Sequence, residues 1–303
     1  MGNIMSDMST KLRMLAAAAS IATMVTCSAY AQSFDTSGVK VDQALADRLP
    51  AKIKSAGVLT IGSDTAYAPW EFLSETDGQT PVGIDVDIAD AIGKKLGVKI
   101  DFQTSAFDAI LPALGTKFDL GISALSITKE RMKAVNFVSY TQSGNLWAVK
   151  AGNPTNFDPA NLCGTKIAIM SGTSHEKEVV EESQKCTSSG KKEIELVPFK
   201  VQTEALTRVA AGGADATFSG PATIGYAAKN SNGQLETMEA TPAMAQIGNN
   251  GIAVAKSDEK LTELIADTIN SLINDGTYKA ILDTWGIGSA IIDKAVVNPQ
   301  VND

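Results

Sequence analysis

The sequence predicts an α/β fold with a mostly parallel sheet. Short β-rich runs alternate with segments of helical period, the alternation occurs in two successive blocks, and several runs end in turns rich in glycine and hydroxyl side chains. The first block opens with Val58-Leu59-Thr60-Ile61-Gly62, a strand signal after Ser55-Ala56-Gly57 that leads into a loop over 63–70. Residues 82–97 place Val86, Ala89, Ile92, Gly93 and Leu96 on one helical face, and Gly97 supplies a stop. A strand over 98–102, a short helix over 107–114 despite Pro112, and a strand over 118–123 complete the block.

The second block repeats this order. Lys166-Ile167-Ala168-Ile169-Met170 is a strand that runs into Ser171-Gly172-Thr173-Ser174-His175-Glu176, with a helix containing Val179 and Val180 behind it. Such a turn at a helix start offers backbone N–H groups to an anion. A strand over 194–199, a helix over 203–211 and a strand over 214–219 follow, the last ending at Gly220-Pro221. The final helical signal spans 261–275, with Leu261, Leu264, Ile265, Ile269, Leu272 and Ile273 on its apolar stripe and Gly276 as its stop. After Gly288 no strong signal remains, so 289–303 is expected to be a loose tail.

The N-terminus sets the compartment. Lys11 and Arg13 precede an apolar run over 14–25, and Ala29-Tyr30-Ala31 forms a small-x-small site, which together predict a secretory signal peptide over 1–31 cut before Gln32. A periplasmic location follows as the expectation. Cys27 lies inside this leader, and a lipid anchor there is not expected because Thr26 is a poor residue before a lipidated cysteine. About 270 of the 303 residues remain after cleavage, enough for two moderate domains or one large one.

The chain carries 34 Asp and Glu against 26 Lys and Arg, which argues against a nucleic-acid partner. Cys163 and Cys186 survive cleavage, and in an oxidising compartment such a pair predicts a structural disulfide. A single histidine, His175, makes a metal site improbable.

The most informative stretch is Gly121-Ile122-Ser123-Ala124-Leu125-Ser126-Ile127-Thr128-Lys129-Glu130-Arg131, where an apolar strand breaks into a hydroxyl-rich turn that ends in arginine. Hydroxyls, free N–H groups and a planar guanidinium can surround a carboxylate. The same residues also suit a helix N-cap at Thr128 followed by a surface arginine, and both readings stand on this segment alone.

Taken in order, Asp64-x-x-Tyr67, Gly83-Ile84-Asp85-Val86-Asp87, 107–114 (Phe-Asp-Ala-Ile-Leu-Pro-Ala-Leu), Ser123-x-x-Ser126-Ile127-Thr128-x-x-Arg131, Asp275-Gly276-Thr277-Tyr278 and Trp285-Gly286 resemble the polar amino-acid substrate-binding proteins of bacterial ABC importers, the family 3 solute-binding proteins. The match runs from about Leu59 to Gly286. The resemblance implies a type II periplasmic-binding-protein fold of two Rossmann-like α/β lobes, joined by two crossing strands near 145–149 and 250–254, with the ligand in the cleft. Lobe 1 is then 51–144 plus 252–288, lobe 2 is 145–251, and 32–50 is an N-terminal leader. Ligand binding beyond the carboxyl ends of the strands agrees with the rule for open α/β sheets.

The resemblance also implies roles. Arg131, with Ser126 and the backbone at Ser123 and Ala124, corresponds to a clamp for an α-carboxylate, which Thr173 and Ser174 close from lobe 2. Asp64, Tyr67, Trp70 and Phe107 correspond to positions facing the ligand side chain, although the three aromatics also suit a core and Asp64 a turn. One position departs from the pattern. Family members that bind free α-amino acids usually place an Asp where this chain has Gly220, so the expected partner of an α-ammonium is missing. An amino-acid derivative or other small carboxylate is expected ahead of a plain α-amino acid, unless Asp64 or another acid compensates.

The expected function is therefore an extracytoplasmic receptor that captures an amino acid or derivative and delivers it to the membrane subunits of an ABC importer, as a monomer without cofactor. A cyclohexadienyl dehydratase-like enzyme on the same fold, with Asp64 or Glu71 as its acid, and a sensor feeding a membrane signalling protein are the alternatives. No catalytic pair with convincing spacing supports the enzyme.

Overall fold

The computed structural model describes residues 33–301, so the expected signal peptide with Cys27 lies outside the described residues. In chain order, helices α1 (Gln43–Ala46) and α2 (Ala51–Ala56) precede strand β1 (Val58–Ser63). Strands β2 (Ala66–Tyr67), β3 (Glu71–Leu73) and β4 (Pro81–Val82) then form a small antiparallel sheet ahead of α3 (Ile84–Leu96). Strand β5 (Lys99–Thr104), helix α4 (Phe107–Ile110), β6 (Leu120–Gly121), α5 (Lys129–Ala134) and β7 (Val135–Ser143) follow. Next come β8 (Leu146–Lys150), β9 (Lys166–Met170), α6 (Ser174–Ser188), β10 (Glu195–Phe199), α7 (Gln202–Ala210), β11 (Ala216–Ser219), α8 (Pro221–Asn230) and β12 (Leu235–Glu239). The chain returns through β13 (Gly248–Ala255), α9 (Glu259–Asn274) and α10 (Thr277–Thr284).

Two five-stranded sheets share one plan. The first has the order β5-β1-β6-β13-β7 and the second the order β10-β9-β11-β8-β12. In each, three parallel strands are followed by antiparallel neighbours. The inner parallel strands β1, β6, β9 and β11 are largely buried on both faces, which is why β1 and β9 read as near-continuous apolar runs, whereas the edge strands β5 and β10 are partly exposed. The first core gathers Leu59, Ile61, Ile88, Ile92, Leu264 and Ile269. A separate core around Trp147, Phe218, Ile167 and Val179 serves the second sheet. Each fully buried aliphatic side chain contributes roughly 1.5–3 kcal/mol. Because β13 belongs to the first sheet, the first lobe is closed by a segment that arrives only after the second lobe is complete.

Local chemistry sets the boundaries of the elements. Helix α3 begins after Gly83 at φ 134°, where a Cβ would sit 2.3 Å from the Trp70 carbonyl oxygen, so only glycine fits. It ends at Gly97 in the left-handed conformation. Cys163 and Cys186 form the expected disulfide, with Cα atoms 5.5 Å apart.

Several expectations require correction. The residues expected to cross between lobes near 145–149 and 250–254 are integral to single sheets: β8 pairs with β11 and β12, and β13 pairs with β6 and β7. The chain passes between sheets at Gly144-Asn145 and again over 240–247. The strand expected over 118–123 shrinks to Leu120–Gly121, because Asp119 turns its carboxylate to the backbone N–H and hydroxyl of Thr60.

The leader 32–50 is part of the fold from Ser33 onward. Ser33 and the Phe34 N–H donate to Asp87 (2.6 and 2.8 Å), and Leu45 and Leu49 enter the first core. The segment after Gly288 is also held, where a loose tail was expected. Ser139 N–H donates to the Val296 carbonyl (3.0 Å), and the Asn298 N–H donates to the Phe137 carbonyl (2.8 Å). Strand β7 lies at the sheet edge, and its outer backbone groups need partners that this segment supplies.

Candidate functional site

The turns at the carboxyl ends of β1, β6, β9 and β11 converge on the space between the two sheets. After β6 the chain bends at Ala124 with φ 43°, a conformation that residues other than glycine rarely hold. Buried acids pin this bend from behind. Ala124 N–H donates to Asp85 Oδ2 (2.7 Å), and the Tyr140 hydroxyl donates to Asp85 Oδ1 (2.6 Å). Ser123 donates from its hydroxyl to Glu71 Oε1 (2.6 Å) and accepts the Asp64 N–H (3.0 Å). In front, the Ile127 N–H donates to the Asn249 carbonyl (2.9 Å) and the Gly251 N–H to the Leu125 carbonyl (2.8 Å), so the turn is also tied to β13.

This acid cluster carries less negative charge than three carboxylates in water would. Burial and the neighbouring Asp85 charge hold Glu71 well above the usual carboxylate range, and burial pushes Asp85 and Asp64 up to about 6. Asp64 is buried with its Oδ2 lacking a hydrogen-bond partner among the described residues.

Thr128 caps α5 by accepting the Arg131 N–H (3.1 Å), so the capping reading of this segment holds, and the cap also aims the arginine. The Arg131 guanidinium donates to the Ser126 carbonyl (2.9 Å) and, across the cleft, to the Gly172 carbonyl (3.1 Å), with its Cζ 5.4 Å from the Phe107 ring centroid. No ion pair among the described residues involves Arg131, and burial lowers its pKa to about 10. A desolvated guanidinium bound only to carbonyls and a ring face is a strong partner for an incoming carboxylate.

On the opposite wall, Thr173 caps α6 by accepting the Glu176 N–H (3.1 Å), and the Ser174 hydroxyl donates to Ser126 Oγ across the cleft (3.0 Å). A third contact between the walls joins the Tyr67 and Ser219 hydroxyls at 2.6 Å. These contacts divide the space in two. Phe107, Ser123, Arg131 and Thr173 line a narrow recess. Toward the connecting segments it opens into a cavity of about 290 Å³ lined by Trp70, Ser143, Asn145, Glu178, Gly220 and Asn250, among others. Tyr67, Ala124, Ser126, Ser174 and His175 border both parts.

Of the expected site residues, Tyr67, Trp70, Phe107, Ser123, Ala124, Ser126, Arg131, Thr173, Ser174 and Gly220 thus reach the cleft wall. Asp64 does not line either part and lies beneath the floor, because its backbone is bonded to Ser123 while Tyr67, three residues on, takes the exposed side of the turn.

Sequence reasoning missed Asn145, His175 and Glu178. His175 and Asn145 are bonded at 3.1 Å, and the Asn145 amide donates to Glu178 Oε2 (3.2 Å). Burial and the Arg131 charge push His175 down to about 4, so the ring is neutral near pH 7. Burial, with like charge from Glu181, pushes Glu178 up to about 7. One signal was present: Ser174 and Glu178 are spaced i,i+4, which puts them on the same face of α6.

Comparisons with known proteins agree with this geometry. The profile of the bacterial extracellular solute-binding proteins, family 3, matches residues 59–288. The chain is 29% identical over 255 residues to an arginine-binding protein, ArgT, of Corynebacterium glutamicum, covering 83% of this chain and 82% of that one. Two solved structures are similar at a TM-score of 0.68. One is an ancestral arginine-binding protein bound to arginine (32% identity, covering 76% of this chain and 98% of that one). The other is the ancestral amino acid-binding protein AncCDT-1, a precursor of cyclohexadienyl dehydratase (30% identity, 77% and 97%).

Proposed function

The chain belongs to the bacterial extracellular solute-binding proteins, family 3, and we propose that it is the periplasmic receptor of an ABC importer, closing two lobes on an amino acid or amino-acid derivative through the ligand's carboxylate. One observation carries this reading: the Arg131 guanidinium sits at the cleft with carbonyl oxygens on both walls and forms no ion pair among the described residues. A ligand carboxylate supplies that charge, with Ser126, Thr173 and Ser174 as hydroxyl partners around it.

The two walls belong to two lobes, one of about 51–144 plus the return segment from Gly248 onward, extended by the leader and the C-terminal segment described above, and one of about 145–247. Closure brings Arg131 to Gly172, Ser174 to Ser126 and Tyr67 to Ser219, and creates the surface that the importer subunits meet. The protein acts as a monomer, without nucleic acid or cofactor, and binds without transforming its ligand. Gly220 contributes no acid, so a plain α-amino acid lacks its usual ammonium partner at that wall, which favours a derivative or a ligand whose nitrogen lies elsewhere.

The test is mass spectrometry of ligand retained through gentle purification, followed by thermal-shift measurement with the compound found. Recovery of an unchanged carboxylate-bearing compound, lost in Arg131→Ala, is the expected result. Retention of the same compound by Arg131→Ala would overturn the assignment, and conversion of added ligand on incubation would move the protein to the enzyme class.

A further inference from the structure

The cleft has a second charged end. We infer that Glu178, on the lobe 2 wall, is the specificity-determining acid of this receptor and binds a cationic group on the ligand's side chain, a role distinct from that of the α-ammonium partner that Gly220 does not provide. The inference rests on the receptor reading above, since it concerns the other end of the same ligand.

Three observations converge on it. First, Glu178 lines the cavity of about 290 Å³ that continues from the Arg131 recess, and Gly220 lies on the same wall lining. Second, no ion pair among the described residues involves Glu178. Its one hydrogen bond among the described residues is from the Asn145 amide nitrogen (3.2 Å), which also donates to the Met244 carbonyl (2.8 Å), while the Asn145 amide oxygen accepts from His175 Nε2 (3.1 Å). Asn145 thus holds one carboxylate oxygen of this cavity-lining residue, and the other has no hydrogen-bond partner among the described residues. Third, the group between the two ends is uncharged. His175 borders both the recess and the cavity, and burial together with the Arg131 charge keeps its ring neutral.

Further polar lining of the cavity includes the amides of Gln246, Asn249 and Asn250 and the hydroxyl of Ser143. These suit a polar substituent but add no charge. A ligand with its carboxylate on Arg131 and an ammonium or guanidinium toward Glu178 therefore meets one full charge of each sign. The ordinary carboxylate is favoured once a cation arrives, since burial and the like charges of Glu181 and Glu182 are what raise Glu178 in the empty cleft. Helix α6 couples the two ends mechanically: Ser174, which reaches Ser126 across the cleft, and Glu178 are one turn apart on the same face.

The experiment is isothermal titration of the full mature protein with L-arginine and its neutral isostere L-citrulline, beside L-lysine and L-glutamine, for wild type, Glu178→Gln and Glu178→Asp. Wild type is expected to prefer the cation in each pair, and Glu178→Gln to reduce that preference on the order of 100-fold while citrulline binding changes little. Glu178→Asp, which keeps the charge, should retain the preference at lower affinity and so separates a charge effect from a folding defect. An unchanged arginine-to-citrulline ratio in Glu178→Gln would overturn the inference. So would a wild-type protein that binds only the neutral compounds, a result that leaves the carboxylate-receptor reading intact if binding is still lost in Arg131→Ala.

Discussion

Arg131 donates to the Gly172 carbonyl of the opposite lobe at 3.1 Å, so the side chain proposed to receive a carboxylate also bridges the two walls of the cleft. Its second bond, to the Ser126 carbonyl at 2.9 Å, keeps the guanidinium in place on its own lobe. Arg131→Ala is therefore expected to lower the affinity for any carboxylate ligand by on the order of 100-fold or more. The change in stability of the empty protein should be small, since the lost bonds are to carbonyls at the cleft. Titration calorimetry together with thermal unfolding checks both halves, and retained affinity would remove Arg131 from the site.

Gly220 tests the missing acid directly. Its backbone is extended (φ −65°, ψ 149°), so a side chain brings no backbone strain, and an added Cβ would lie 4.0 Å from Tyr67 Oη and 3.3 Å from Ser143 Oγ, which must shift slightly to admit it. Gly220→Asp is expected to raise the affinity for plain α-amino acids roughly tenfold or more by giving the α-ammonium a partner. A thermal-shift series with common L-amino acids measures the gain. No gain in any of them would mean that the nitrogen of the ligand does not lie beside β11.

The buried acids make stability depend on pH in a definite direction. Asp64 and Asp85 are raised to about 6, Glu178 to about 7, and Glu71 is raised strongly. The folded protein therefore binds more protons than the unfolded chain between the ordinary carboxylate value and these raised ones, and stability falls as pH rises through that window. His175, lowered to about 4, works the other way, because stability is lost as the unfolded ring protonates below its ordinary value. Four acids against one histidine leave the ligand-free protein more stable near pH 5 than near pH 8, with a slope of up to about 1.4 kcal/mol per pH unit for each titrating group. Thermal midpoints across this range check the sign, and Glu71→Gln should flatten the curve.

Replacing Cys163 and Cys186 by serine should cost about 3 kcal/mol, the chain-entropy value for a loop of this size. Neither residue lines the cleft, so ligand preference should not change. Chemical denaturation gives the first quantity and titration the second.

The C-terminal segment offers a further measurement. Gln300 and Val301 line the cavity, and Val296 and Asn298 pair with Ser139 and Phe137 on the edge strand β7. Deleting 295–303 is expected to lower stability by about 2–4 kcal/mol through the lost backbone bonds. It should also weaken binding by opening one wall of the cavity. Unaltered unfolding would show that these bonds contribute nothing.

Periodicity alone located β1, β9 and α9 closely, because their residues face a core on a regular repeat and each boundary carries a local signal such as Gly57 or Gly276. Thr128 and Arg131 were legible for the same reason: an N-cap and its helix are written within a few neighbouring residues. The anion-friendly turns at Arg131 and at Thr173 and Ser174 were likewise local, and so was the cysteine pair, whereas the missing acid at Gly220 showed only against the family's pattern. What the sequence could not contain was the pairing of distant segments. The docking of 289–301 on β7 answers to unpaired edge groups on a strand more than 140 residues earlier. The withdrawal of Asp64 beneath the floor depends on Ser123 of the turn after β6, Glu71 of β3 and Asp85 of α3 meeting. Glu178 became a cleft residue only because Asn145, at the point where the chain passes between sheets, turns its amide onto that carboxylate. Local hydrogen bonds and side-chain period fix the elements and the carboxylate clamp. The second charged end is created by long-range packing, in which burial and neighbouring charge, not residue identity, set what each acid does.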